Sequence, residues 1–175
     1  MSRWSEASER YADLRVVIRQ IFAFPNPVNE TSARTVAAVV AVLGVVALAF
    51  QQGWLLPVLA YGFVARALTG PTLSPLGLLA TRVVTPRLPV THRYAPGPAK
   101  RFAQTIGAVF TTTAALLWYL AGAHVAASVL LAVLVVFASL ESGLGLCIGC
   151  KAFFVGMRLG LVPPQICEEC RRVPA

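Results

Sequence analysis

Four apolar runs, over residues 36–50, 54–68, 106–120 and 125–146, set what this chain can fold into. Crossing a bilayer core takes a helix of about 20 residues, with about 17 as the lower end. The first two runs fall short of this and must borrow flanking residues. Borrowing them sends Arg34 and Arg66 snorkelling toward head groups. Gln51, Gln52 and Gly53 separate the first two runs, and Gly122 to His124 lie between the last two. Connections this short force antiparallel hairpins. The expected fold is all-α: a polytopic membrane protein with four transmembrane helices in two hairpins. With 57% hydrophobic and only 13% charged residues, the chain does not have the composition of a soluble domain.

Orientation follows from charge. The chain carries 15 Lys and Arg residues, and neither hairpin turn contains one. All therefore fall on one side, which the positive-inside rule assigns to the cytoplasm. Both termini are then inside, and Trp54, Trp118 and Tyr119 line the outer interface. Residues 1–33 form a cytoplasmic segment with an amphipathic helix over about 5–22. Residues 34–150 form the bundle, with a cytoplasmic loop over 69–104, and residues 151–175 an interfacial tail. The net charge of +8 orients the chain and meets anionic lipid. Nucleic-acid binding is not expected, because no basic cluster is interleaved with stacking aromatics. The first apolar run starts too late, and follows too many acidic residues, for a signal peptide.

Local signals refine this outline. In Phe24-Pro25-Asn26-Pro27-Val28-Asn29-Glu30, two prolines exclude regular helix. Asn29 is placed to cap the first span, with Glu30 in its first turn. Ser74-Pro75 starts a short interfacial helix that Pro86 and Pro89 close. Thr111, Thr112 and Thr113 read as interhelical hydrogen-bond glue. His92 and His124 fall on opposite sides and suggest no joint metal site.

The chemistry lies in four cysteines, the only ones in the chain: Cys147-Ile148-Gly149-Cys150 and Cys167-Glu168-Glu169-Cys170. Two C-x2-C pairs separated by sixteen residues match a four-thiolate zinc pattern. Gly149 would suit a tight metal-binding turn. The same pairs suit redox chemistry, since C-x2-C brings two thiols within bridging reach. Lys151 favours a thiolate in the first pair, while placement at a helix C-terminus opposes it. The apolar segment 152–161 is too short to span. It is expected to lie along the inner interface and return the second pair beneath the first. Glu141, inside the fourth run, is costly there unless paired or protonated. Arg66 at similar depth is its expected partner, either as a helix lock or as part of a proton path to the thiols. Gly143 and Gly145 would loosen that helix or admit close packing.

The Phe24–Glu30 motif, Lys100-Arg101-Phe102-Ala103-Gln104 and Leu140-Glu141 leading to Cys147-Ile148-Gly149-Cys150-Lys151 together resemble the bacterial membrane proteins grouped as domain of unknown function 4395. Members of that family are often encoded near thioredoxin-like proteins and sulfurtransferases, so the resemblance implies thiol or sulfur chemistry. The expected function is a membrane-embedded thiol protein, without a cofactor. It would exchange disulfides, or pass persulfide sulfur, with a soluble thioredoxin-like or sulfurtransferase partner through Cys147, Cys150, Cys167 and Cys170. The first alternative is a non-catalytic scaffold whose four cysteines hold structural zinc. The second is a transporter of a small sulfur species or soft metal.

Overall fold

The computed structural model describes residues 24–87, 93–163 and 166–167. The expected N-terminal amphipathic helix, Pro89, His92 and Cys170 lie outside the described residues. The rest is all-helical, with six helices and one two-residue strand pair. Helix α1 is Glu30–Ala49, α2 Leu55–Thr69, α3 Pro75–Leu79, α4 Gly97–Tyr119, α5 His124–Leu144 and α6 Ile148–Arg158. A π-helical turn, Ala80–Val84, and a 3-10 turn, Thr85–Arg87, continue α3, so Pro86 falls inside the last turn.

Helix starts follow capping chemistry. Asn29 Oδ1 accepts from the backbone N–H groups of Thr31, at 2.9 Å, and Ser32, at 3.4 Å. This satisfies orphan donors of α1, whose first turn carries Glu30. Ser74 Oγ does the same for Gly77 N–H, with Pro75 in the first turn of α3. The proline motif ahead of α1 forms a clasp. Strand β1, Val28–Asn29, pairs antiparallel with β2, Tyr94–Ala95. Asn26 Oδ1 accepts from Gly97 N–H at 2.8 Å. A Cβ on Gly97 would sit 2.7 Å from the Pro25 carbonyl oxygen, so only glycine allows this approach. The clasp fixes the entry of α1 to the entry of α4.

The two hairpins form as their short connections require. Each hairpin helix, however, packs most extensively on a helix of the other hairpin: α1 on α5, and α2 on α4. Val40, Leu56, Leu59, Ala114, Ala127, Leu131 and Leu134 are buried at the centre. Gly107 lies directly under the Phe63 ring, where any side chain would collide, and this brings α2 and α4 close.

Helices α1 and α5 are long and apolar enough to cross a membrane, while α2 is apolar but shorter. Helix α4 begins nine residues before the third apolar run, which places Lys100 and Arg101 within its first turns. All four long helices carry exposed apolar side chains, among them Val42, Val58, Val109 and Val136.

Several polar residues differ from expectation. Arg34 does not snorkel. Its guanidinium donates to the carbonyls of Ser142, at 3.1 and 3.2 Å, and Gly143, at 2.8 Å, closing the C-terminal end of α5. Arg101 Nε likewise donates to the Ala67 carbonyl near the end of α2, at 3.0 Å. Arg66 is buried, not extended toward head groups. Thr111 bonds backward to the carbonyls of Gly107 and Ala108 in its own helix, and Thr112 and Thr113 are exposed. The threonine run therefore does not join helices through these hydroxyls. Such back-bonding satisfies a hydroxyl locally and competes with interhelical bonding.

Candidate thiol site

Helix α5 ends at Gly145, which adopts the left-handed conformation at φ 69°. The backbone N–H groups of Gly145 and Leu146 bond back to the carbonyls of Glu141 and Leu140. Glycine accepts positive φ without a Cβ penalty, so the helix stops here and the chain turns. Leu146 lies outside any helix, Cys147 is extended, and α6 starts at Ile148 with Cys147 as its N-cap residue. The first cysteine pair therefore sits at a helix N-terminus, not at the C-terminus that a continuous fourth run implied. The dipole now favours a thiolate. Gly143 has open space where a Cβ would point, so close packing does not require it.

Gly149 also has a different role from the expected metal-binding turn. It lies in the first turn of α6, against α4. A Cβ there would be 2.6 Å from Ala103 Cβ and 2.7 Å from Ala103 Cα. The glycine lets α6 lie on α4, which brings Cys147 beside Lys100 and Glu141. The amphipathic segment after the first pair is thus a packed helix, anchored by Phe153 against Phe102 with ring centroids 5.6 Å apart.

Cys147 is buried and Cys150 partly buried, and both are free thiols. Hydrogen bonding from Cys150, chiefly from its thiol, is the main influence on Cys147. These bonds hold Cys147 below the ordinary thiol range, and nearby Lys100 lowers it further. Burial and Glu141 act in the opposite direction without prevailing. Cys150 is pushed up, because its proton is held in the bond to Cys147 and because it is buried. One thiol is prepared to ionise and the other to keep its proton.

Cys167 is disulfide-bonded and buried. It shares an apolar cluster with Ala99 and Phe153, against which Cys150 packs. The chain does return Cys167 to the neighbourhood of the first pair. A four-thiolate zinc site does not fit this state, since a disulfide sulfur is not a thiolate ligand. Among the described residues, no three His, Cys, Asp or Glu side chains cluster as metal ligands.

The acid near the thiols has a partner other than the one expected. Glu141 pairs with Lys100, Nζ to Oε1 at 2.5 Å. Arg66 instead donates to Gln104 Oε1 at 2.9 Å and Ser74 Oγ at 3.1 Å, and its guanidinium stacks 4.7 Å from the Phe63 ring centroid. Lys100 and Gln104 were not singled out as site residues. Their spacing of four on one helix puts them on one face and is the signal that would have found them. A cavity of about 240 Å³ lies within this group, lined by Arg66, Gln104, Glu141 and Cys147 together with Phe63, Phe110 and Phe137.

The family described as Domain of unknown function (DUF4395) matches residues 28–158. No curated protein and no solved structure matches the chain.

Proposed function

The chain belongs to the DUF4395 family, and from that premise we propose that it is a membrane-embedded dithiol protein that exchanges disulfides, or passes persulfide sulfur, with a soluble thioredoxin-like or sulfurtransferase partner. The observation that carries this reading is the asymmetry of the first pair. Cys147 opens α6 beside Lys100 and is held below the ordinary thiol range by hydrogen bonding from Cys150, whose own thiol is pushed up.

The chemistry follows from that asymmetry. The Cys147 thiolate attacks one sulfur of a partner disulfide, and the first partner thiolate leaves. Cys150 then loses its proton and attacks the Cys147 sulfur, releasing the second partner thiolate. Two electrons pass from the pair to the partner, and the Cys147–Cys150 disulfide remains. With a persulfide donor, the Cys147 thiolate attacks the outer sulfur and becomes a persulfide as the donor thiolate leaves. A reduced first pair can alternatively pass its two electrons to the disulfide at Cys167, close to Cys150, which leaves Cys147–Cys150 as the disulfide and Cys167 as a thiol.

The reading includes four spans, α1, α2, α4 and α5, with both termini and all cysteines on the cytoplasmic side of a bacterial inner membrane. Exposed apolar side chains around all four helices support it, because such surface is stable against lipid tails and not against water. The absence of Lys and Arg from both hairpin turns supports the orientation.

The test is trapping in cells. Cys150→Ala should accumulate a mixed disulfide between Cys147 and a thioredoxin-like or sulfurtransferase protein, which Cys147→Ser abolishes. Metal analysis of the same preparation separates the zinc reading. One tightly held zinc per chain, with thiols unreactive until it is stripped, overturns the proposal.

A further inference from the structure

A second and larger cavity, about 350 Å³, lies on the other side of the Arg66–Gln104 pair. The two cavities share Arg66 and Gln104 as a common wall, but only the smaller one reaches Cys147. The larger one is bounded by the proline motif, the start of α1 and the end of α2, and Tyr94, which is 63% exposed, stands at its edge. Its volume falls in the range of small-molecule sites, about 300–1,000 Å³.

Charge distinguishes the two. The smaller cavity is lined by Arg66 and Glu141, one charge of each sign. The larger is lined by Arg66 and Lys100 and by no acid among the described residues. Both cations are nearly inaccessible, at 5% and 4% exposure. Glu141 neutralises Lys100 from the far side. The hydrogen-bond partners of Arg66, Gln104 and Ser74, are both neutral, and the Phe63 face is only weakly attractive to a cation. Glu141 attracts Arg66 only through space, and a buried guanidinium without an anion in direct contact is costly. The rest of the wall is mostly apolar, with Pro25, Val28, Val36 and Pro71.

We propose that this cavity binds a small amphipathic anion, its charged group against Arg66 and Lys100 and its apolar body against Pro25, Val28 and Val36. The ligand supplies a counter-charge in direct contact with Arg66, which Glu141 reaches only through space, and the planar guanidinium suits an oxyanion such as a phosphate or carboxylate. The site is separate from the thiols and stands or falls without them. A soluble organic anion and the phosphate end of an anionic lipid share this chemistry.

The experiment is a calorimetric titration of hexyl phosphate into the full chain held in phosphatidylcholine nanodiscs. Saturable binding at one per chain is expected, with hexanol not binding. Arg66→Gln should weaken it at least tenfold, and Ala33→Phe, which fills the cavity from α1, should abolish it. Cys147→Ser should leave it unchanged even if it ends all thiol exchange. Repeating the titration in phosphatidylglycerol nanodiscs separates the sources. Loss of hexyl phosphate binding there assigns the site to a lipid headgroup, and unchanged binding assigns it to a free anion. Absence of binding to the wild-type chain, equal binding of hexanol, or binding that survives both Arg66→Gln and Ala33→Phe overturns the proposal. The comparison with hexanol needs no variant, so a misfolded substitution leaves the test intact.

Discussion

Lys100 Nζ and Glu141 Oε1 lie 2.5 Å apart, joining the first turns of α4 to the last turns of α5 beside the thiol pair. Both side chains are largely buried, at 5% and 15% exposure. Removing one partner strands the other charge, which typically costs about 3–5 kcal/mol in a protein interior and less where lipid-exposed helices find substitute partners. Lys100→Met and Glu141→Gln should each lower the thermal stability of the detergent-solubilised chain. The double substitution should recover part of the loss. Strictly additive losses would show that the two side chains are not energetically paired.

The same ion pair sets the reactivity of Cys147 in opposite directions through its two members. The cation lowers the thiol and the carboxylate raises it. Thiolate, and hence alkylation by iodoacetamide, should appear at lower pH for Cys147 than for an ordinary cysteine. Glu141→Gln removes the opposing charge and should shift the alkylation midpoint further down. Lys100→Met removes the supporting charge and should shift it up. Cys150→Ala removes the largest stabilising contribution, the thiol hydrogen bond, and should produce the largest upward shift. Mass-spectrometric counting of Cys147 alkylation against pH measures all four. A midpoint unchanged by Cys150→Ala would remove the basis for a nucleophilic Cys147.

Where local chemistry decides structure, the sequence was readable. Asn29 and Ser74 cap helices as their side chains dictate, and the two hairpins follow from connections too short for any other path. The cysteine pairs, Glu141 and Arg66 were visible as unusual residues, but their partners were not. Lys100 looked like one more basic residue in a cytoplasmic loop, because the helix that carries it begins nine residues before its apolar run. A hydropathy run marks where a helix is apolar, whereas Pro96-Gly97 and the clasp on Asn26 mark where it begins. The break at Gly145 was hidden by continuous hydrophobicity through Leu146, since a left-handed glycine ends a helix without any change in polarity. That one misplaced boundary reversed the sign of the dipole at Cys147.

Arg34 offers an independent check on this end of α5. Its guanidinium serves the carbonyls of Ser142 and Gly143, which have no helical donors. Arg34→Gln should cost about 1 kcal/mol, the order of a lost cap or hydrogen bond. It should also raise amide exchange in the Gly143–Cys147 turn. Arg34→Lys keeps the charge but loses the fork, and should fall between. If Arg34→Gln left exchange in that turn unchanged, the arginine would not be what holds it.

The closest contact behind the thiol site is Gly149 against Ala103. A methyl group at residue 149 would meet Ala103 Cβ at 2.6 Å and its Cα at 2.7 Å, and the backbone cannot step aside as a flexible side chain would. Gly149→Ala should therefore push α6 away from α4, at a cost of about 1–3 kcal/mol for overpacking. The movement carries Cys147 and Cys150 away from Lys100. Besides lowering stability, the substitution should raise the pH at which Cys147 is alkylated, although it touches neither thiol. Ala103→Gly in the same chain reopens the space and should restore both properties toward wild type. Loss of stability without any change in the alkylation profile would mean that the seating of α6 does not govern the thiol environment.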